Sequence, residues 1–295
     1  MPAHLDRLLE HIDSLPSLPT VVLRVNDLMS NPKTSALQLS RLILDDQALT
    51  ARLLRLVNSP FYGFPRRIAT VTEAVTILGF QPVRNLLLTA TVVDVLGGEE
   101  HAEFSPASLW EHALAAGVAA GLLARSMRYE DREEVFVGGL LHDVGKLVLF
   151  QFLRRDFLRA LGHARAADVP LRVAEQKLLG FTHDHVGQLL AERWRLPVRL
   201  SEAIGHHHRP ERAPIAKREA ALVHLGDILA RALALGSGGD DAVPALQAEA
   251  WARLGLPPAV LGPLLDELEG QYADAREILL SSLPDEQVPG TAHAR

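Results

Sequence analysis

The chain has 295 residues, 48% of them hydrophobic, with a formal charge of −6 and no cysteine. This length supports one large or two modest cores. The missing cysteines exclude disulfides, thiolate metal sites and cysteine nucleophiles, so any metal must be held by His and Asp or Glu. Acidic and basic residues are interspersed, without the basic stripe that tracks phosphates, which argues against direct nucleic-acid binding. No apolar run approaches the ~18 residues needed to cross a bilayer, and Met1 to Asp13 does not read as a signal peptide. The expectation is a cytoplasmic protein with no membrane insertion.

Apolar residues recur at helical spacing almost throughout, predicting an all-α fold. In chain order the pattern gives helices at about 3–13, 19–30, 35–44, 47–57, 70–78 and 81–96, separated by Leu-Pro, Asn-Pro and Gly-Phe-Pro breaks. A glycine-containing interruption at 97–101 precedes further helices at about 107–127, with Ser105 or Ser108 as a cap, then 132–151, 153–167, 171–179, 183–194, 198–208 and 217–235. Gly236-Ser237-Gly238-Gly239-Asp240-Asp241 reads as a flexible connector. The resulting division is an N-terminal helical lobe at 1–100, a histidine-bearing bundle at 101–236, one or two helices within 237–282 and a disordered tail at 283–295.

Nine of the thirteen histidines lie between His112 and His224, which directs attention to that bundle. At its centre His142 and Asp143 sit among glycine and apolar residues. An imidazole and a carboxylate buried there require neutralisation, and a divalent metal is the natural candidate. Ala113, Ala115, Ala116, Ala119 and Ala120 surround His112, while Gly138 and Gly139 precede His142. These small surfaces let two antiparallel helices approach and bring His112 beside the His-Asp pair. Asp227, in an otherwise apolar helix, either supplies a fourth ligand or faces solvent. His224 shares its face, as a supporting partner of Asp227 or as a packed histidine.

His183, His207 and His208 are candidates for a second metal or for binding phosphate, against the alternative of surface or helix-end positions. His183 and His185, two apart, cannot both face one site on a helix. Lys146, one turn beyond His142, either reaches an anionic ligand or snorkels at the surface.

The ordered set His112, His142-Asp143 and Asp227 resembles the HD superfamily of metal-dependent phosphohydrolases. Leu15-Pro16-Ser17-Leu18-Pro19, Asp46 through Ser59, Tyr62-Gly63 and Ala74 through Gly79 more closely resemble the HDOD domain, the HD-related output domain of bacterial signalling proteins. So do Leu109-Trp110-Glu111-His112, Trp194 with Leu196-Pro197, and His207-His208 with Pro210. The likeness spans roughly residues 10 to 235.

It implies a multi-helical HDOD/HD-like bundle and a regulatory role in bacterial signal transduction, exercised on a protein partner or through a nucleotide or phosphate ligand, with homo-oligomers allowed. It also implies one or two divalent ions, with Fe, Mn, Ni or Zn suiting the His/carboxylate set. The alternative is a metal-dependent phosphohydrolase or phosphodiesterase acting on a nucleotide or other phosphoester, with Asp143 and Lys146 in catalytic roles. The related HD-GYP phosphodiesterases carry a Gly-Tyr-Pro signature after their paired histidines. Here the chain reads Arg209-Pro210-Glu211-Arg212-Ala213-Pro214, which disfavours cyclic di-GMP hydrolysis.

Overall fold

A computed structural model describes residues 24–280, save 26, 29–32, 59–61, 97–98 and 241. The expected helix at 3–13, most of that at 19–30, the Leu15–Pro19 motif, Ser59 and the tail at 283–295 lie outside the described residues. Within them the fold is all-helical, with a single isolated bridge between His101 and Phe104.

The first helices start where their sequence provides a cap. Ser35 and Gln38 form a reciprocal capping box at α1 (Ala36–Leu44), and the Asp46 carboxylate accepts the Leu49 amide at α2 (Gln47–Val57). Thr70 caps α3 (Val71–Leu78), which ends at Gly79 with φ +88°. Leu39, Ile43, Leu53, Val57 and Val75 form a first core.

The turn after α2 is held by Asn58, whose Nδ2 donates to the carbonyls of Leu54 (2.6 Å) and Ile68 (2.9 Å) and whose Oδ1 accepts the Ile68 amide (2.7 Å). This is a clamp across ten residues rather than a simple helix cap. The next helix, α4 (Phe80–Leu96), contributes Leu86 and Leu87 to the first core and Leu88, Val92 and Leu96 to a second, larger one.

The second core is built around α5 (Pro106–Ser126), capped by Ser105 and rich in alanine, with nearly every residue from Pro106 to Ala124 buried. A helix apolar on all sides belongs inside a bundle. The bundle is completed by α6 (Arg132–Leu141), α7 (Val144–Phe152), α8 (Arg154–Ala167), α9 (Leu171–Leu178), α10 (His183–Arg193), α11 (Val198–His206), α12 (Lys217–Ala232), α13 (Ala248–Leu254) and α14 (Leu261–Leu280), of which α6, α12 and α14 pack directly on α5. Contrary to the sequence expectation, Pro106–Ser126 and Arg132–Phe152 do have the length and hydropathy of bilayer-crossing segments. Their apolar windows are 89% buried within the fold, so core packing accounts for that hydropathy.

Two expectations are corrected. The helix expected at 132–151 is interrupted at His142-Asp143, where Asp143 takes φ −99°, ψ 9°. Adjacent residues on an unbroken helix diverge by about 100°. The break frees these two side chains to converge, and an apolar periodicity that continues through it could not reveal it.

The 236–241 connector is also more than a flexible linker. The Ser237 amide bonds the Ser108 carbonyl, Arg165 bonds the Gly239 carbonyl, and Asp240 accepts from the Leu171 amide and from Arg231. Composition signals flexibility but cannot show that five elements of the bundle, α7 among them through Lys146, offer it partners.

Candidate metal centre

Close helix contacts create the site. A methyl group on Gly139 would lie 2.6 Å from the Gly117 Cα, and one on Gly226 would lie 2.5 Å from the Ala116 carbonyl oxygen, so α6 and α12 meet α5 almost backbone to backbone. This puts His112 of α5, His142 at the end of α6 and Asp227 of α12 together. On the other side, a methyl on Gly145 would collide with the His183 carbonyl oxygen. That contact seats α10 against α7 and brings His183 to Asp143.

All seven residues proposed from sequence as ligands or phosphate contacts converge. His112 Nε2 lies 3.1 Å from Asp227 Oδ1 and 3.7 Å from Asp143 Oδ2, and His142 Nε2 lies 3.2 Å from Asp143 Oδ2 and 3.7 Å from Asp227 Oδ1. The other oxygen of the same carboxylate, Asp143 Oδ1, is 3.3 Å from His183 Nε2 and 3.9 Å from His207 Nε2. His208 Nε2 stands 2.9 Å from His183 Nε2. Asp143 therefore joins an inner group (His112, His142, Asp227) to an outer group (His183, His207, His208), each with donor atoms close enough to share one ion.

The hydrogen bonds on the far side of the rings set which nitrogen faces inward. His142 and His207 each follow a helix end, and each donates Nδ1–H to the carbonyl three residues earlier, Gly139 (2.6 Å) and Ile204 (2.7 Å). These carbonyls have no partner within their helix, so the imidazoles satisfy them. His183 Nδ1 donates to the buried Glu175 carboxylate at 2.7 Å. With Nδ1 occupied, each ring presents Nε2, the arrangement that orients metal-ligating histidines.

The residues fit a divalent cation. His112 Nε2, His142 Nε2, His207 Nε2 and Asp143 Oδ1 are buried without a hydrogen-bond partner. Leaving each so costs about 1–3 kcal/mol. Nitrogen and carboxylate oxygen are the ligand types that suit transition metals.

Electrostatics give the same account. Burial, only partly offset by Asp227, pulls His112 down to about 4, and burial together with neighbouring His142 pulls His207 down to about 3. Burial opposes charge on His142 as well, but Asp143 and Asp227 outweigh it and raise its pKa to about 9. Both carboxylates stay well below the usual range despite burial, Asp143 beside His142 and Lys146, and Asp227 beside Arg231. Asp143 and Asp227 favour a proton on His142 at the point where a cation would bind. Metal binding must release it.

Lys146 does not snorkel. It is fully buried, and its Nζ donates to Asp143 Oδ2 (2.6 Å) and to the Gly238 carbonyl of the 236–240 strap (2.8 Å). Arg231 is its counterpart, donating Nε to Asp227 Oδ1 (2.9 Å) and Nη1 to Asp240 Oδ1 (2.7 Å). Sequence reasoning missed Arg231, although its place four residues after Asp227 on one helix face was a usable signal. It also missed Glu175, for which no local signal exists. His224 is buried and its Nε2 accepts the Gln247 amide (3.1 Å), so it packs behind Asp227 rather than joining the ligands. His185 is exposed, as the helical spacing required.

Comparison with known proteins places the chain in a family. The HDOD domain model matches residues 15–210. An uncharacterized protein of Treponema pallidum (strain Nichols) is 28% identical over 206 residues, covering 70% of this chain, and the match spans only 40% of that protein's length. Among solved structures, an HDOD domain protein of unknown function from Geobacter sulfurreducens has TM-score 0.75 and 27% identity, covering 95% of this chain and 98% of the other. A candidate phosphohydrolase from Shewanella amazonensis SB2B has TM-score 0.72 and 25% identity, with 94% and 98% covered. A candidate signal transduction protein from Marinobacter aquaeolei VT8 has TM-score 0.68 and 26% identity, with 95% and 65% covered. With its helical fold and with the family model matched over most of its length, the chain belongs to the HDOD domain family.

Proposed function

We propose that this chain is a regulatory module of bacterial signal transduction whose HD-type centre holds one or two divalent transition metals and passes its state to a protein partner or small ligand without turnover. We place it in the cytoplasm. The observation that carries this reading is that the centre is complete but closed. His112, His142, Asp143, His183, His207 and Asp227 are each at most 2% exposed, and the strap is bonded across them through Lys146. The two cationic side chains buried at the centre are each held by a carboxylate and are not free to follow developing phosphate charge. Lys146 is committed to Asp143 and Gly238, and Arg231 to Asp227 and Asp240.

The opening beside the centre is a vestibule of about 180 Å³ lined by His183, His208, Arg231 and Asp240, below the roughly 300–1,000 Å³ of most ligand pockets. The test is to incubate metal-loaded protein with nucleotides and cyclic dinucleotides, with Asp143→Ala as control. Turnover no higher than the control is expected. Robust turnover that disappears in Asp143→Ala would overturn the reading.

A second reading, metal-dependent hydrolysis of a small phosphoester, is favoured by the intact outer group, whose Nε2 atoms gather around Asp143 Oδ1. A metal held there would supply Lewis acidity toward a phosphate oxygen.

A further inference from the structure

Away from the metal centre, three of the helices that build it converge on one surface. α5 carries His112 in its first third and ends at Ser126, just before Arg128. α12 carries Asp227 in its second half and begins at Lys217, and α11 begins at Val198 and leads into His207. Arg128, Arg199, Lys217 and Arg218, all at these ends, line one cavity of about 690 Å³ together with Arg253 near the end of α13. The helical rise separates Lys217 from Asp227 by about 15 Å and Ser126 from His112 by about 20 Å.

The charges on this surface do not balance. Arg199 Nη1 and the Tyr129 hydroxyl both donate to Glu219 Oε1, at 2.6 and 2.7 Å, so Glu130 and Asp131 are the acids left in the lining. Against them stand Arg128, Lys217, Arg218 and Arg253, whose side chains have no hydrogen-bond or ion-pair partner among the described residues. Arg128 follows the C-terminus of α5, where a cation is favoured. Lys217 and Arg218 occupy the first turn of α12, where the helix dipole disfavours them. Placed there they cost the fold stability, and an anionic partner would offset that cost. Such a concentration of unpaired cations is unexpected in a chain of net charge −6.

Ile215, in the same lining, is 66% exposed. The buried Glu202 carboxylate accepts the Ile215 and Ala216 amides at 2.8 and 2.6 Å, which fixes the backbone beneath this aliphatic side chain. A side chain presented on a fixed backbone loses little freedom on binding.

We propose that this surface docks an acidic segment of a signalling partner, its carboxylates on Arg128, Lys217, Arg218 and Arg253 and an aliphatic side chain on Ile215. The cations come from the ends of three helices around one apolar residue, and a peptide carries several carboxylates and an apolar side chain in one molecule. A nucleic-acid strand would supply anions but no aliphatic group for Ile215. The inference rests on the proposed regulatory reading and names the surface and chemistry of its partner. Because α5 and α12 join His112 and Asp227 to this surface, metal occupancy and docking should be coupled.

The test is fluorescence anisotropy of the full chain, metal-loaded or chelator-treated, with a short labelled peptide of Glu and Asp around a central Leu. Three control probes are the same peptide with Lys at the acidic positions, the same with Ser for Leu, and a short single-stranded RNA. Metal content is measured on every sample. The metal-loaded chain should bind the acidic peptide more than tenfold tighter than the lysine peptide, and chelation should change that affinity at least threefold. Arg128→Glu, and the double change Lys217→Glu with Arg218→Glu, should each weaken it more than tenfold. Ile215→Ser should abolish the preference for Leu over Ser in the peptide. Arg67→Glu, exposed in the other lobe, should change nothing. The α12 double variant should melt no lower than wild type, since acidic residues suit a helix N-terminus, so that lost binding is not lost folding.

No preference for the acidic peptide, indifference to the charge reversals, a lowered melting temperature in the α12 variant, or tighter capture of RNA by the same cations would overturn the docking surface and leave the proposed function standing. Binding through these cations that is identical with and without metal would support the surface and overturn the passage of the metal state to a partner. Protein that holds no metal after loading would overturn the proposed function, while the charge reversals would still decide the surface.

Discussion

The inner and outer groups of the centre share Asp143 but solve the problem of burial differently. The inner group carries its own charges: Asp227 is balanced by Arg231, Asp143 by Lys146, and His142 is pushed to about 9 between them. The outer group contains only imidazoles around Asp143 Oδ1, and His207, its ring centroid 4.9 Å from that of His142, is driven down to about 3. Burial thus lowers His112, which also faces Arg231 and His142, and His207, which lies among imidazoles, whereas Asp143 and Asp227 together outweigh it at His142. The inner group draws on its own carboxylates, whereas in the outer group His183 Nε2 and His208 Nε2 share a hydrogen bond of 2.9 Å and His207 Nε2 has no partner.

Asp143→Ala should collapse the comparison, because it removes the residue both groups share and leaves Lys146 buried beside Gly238 without its counter-ion. Loss of metal and a stability cost of about 3–5 kcal/mol are expected, read by elemental analysis and urea unfolding. An unchanged unfolding midpoint would show that Lys146 is neutralised elsewhere.

Gly145→Ala should separate the groups. Its new methyl would collide with the His183 carbonyl, at a cost of about 3 kcal/mol for overpacking. His183 would move while the α5, α6 and α12 contacts remain. Metal bound by the inner group should persist as that of the outer group falls, and equal loss from both would contradict their independence.

Acid should act on both. His112 and His207 have folded values of about 4 and 3 against 6.5, so the stability they provide is present above 6.5 and is lost as pH falls towards those values. His142 has the opposite sign: its contribution is present below 6.5 and is lost as pH rises through about 9. Metal-free protein should lose about 2 kcal/mol per low-pKa histidine between pH values of about 6.5 and 5. A flat melting temperature over that range in the presence of chelator would refute the neutral assignment.

Asn58→Ala tests the comparison from outside. Loss of its three bonds across the α2–α3 turn should cost about 1.5 kcal/mol and leave metal content unchanged, because that turn lies in the other core. Metal loss in this variant would show that the two cores are coupled.

The candidate ligands were legible in the sequence because each is anomalous where it stands: His112 among alanines, His142-Asp143 among glycines, Asp227 in an apolar helix. The small residues likewise announced close helix contacts, which Gly139 against Gly117 makes. What escaped was the neutralising framework. Lys146 was legible as a candidate for an anionic partner but not as the buried counter-ion of Asp143, Glu175 is tied to His183 across the turn that joins α9 to α10, and the strap's composition matches that of an unstructured linker. Periodicity reports which face of a helix is buried, not where the helix breaks inside the core. The interruption that turns His142 and Asp143 inward was therefore invisible.

The most direct test of the centre is the metal content of untagged protein after loading, compared across wild type, Asp227→Asn, His207→Ala and Asp143→Ala. The account predicts bound transition metal in the wild type, partial loss in each of the first two variants and complete loss in the third. Wild-type protein that holds no transition metal, or Asp143→Ala protein that holds as much as wild type, would contradict it.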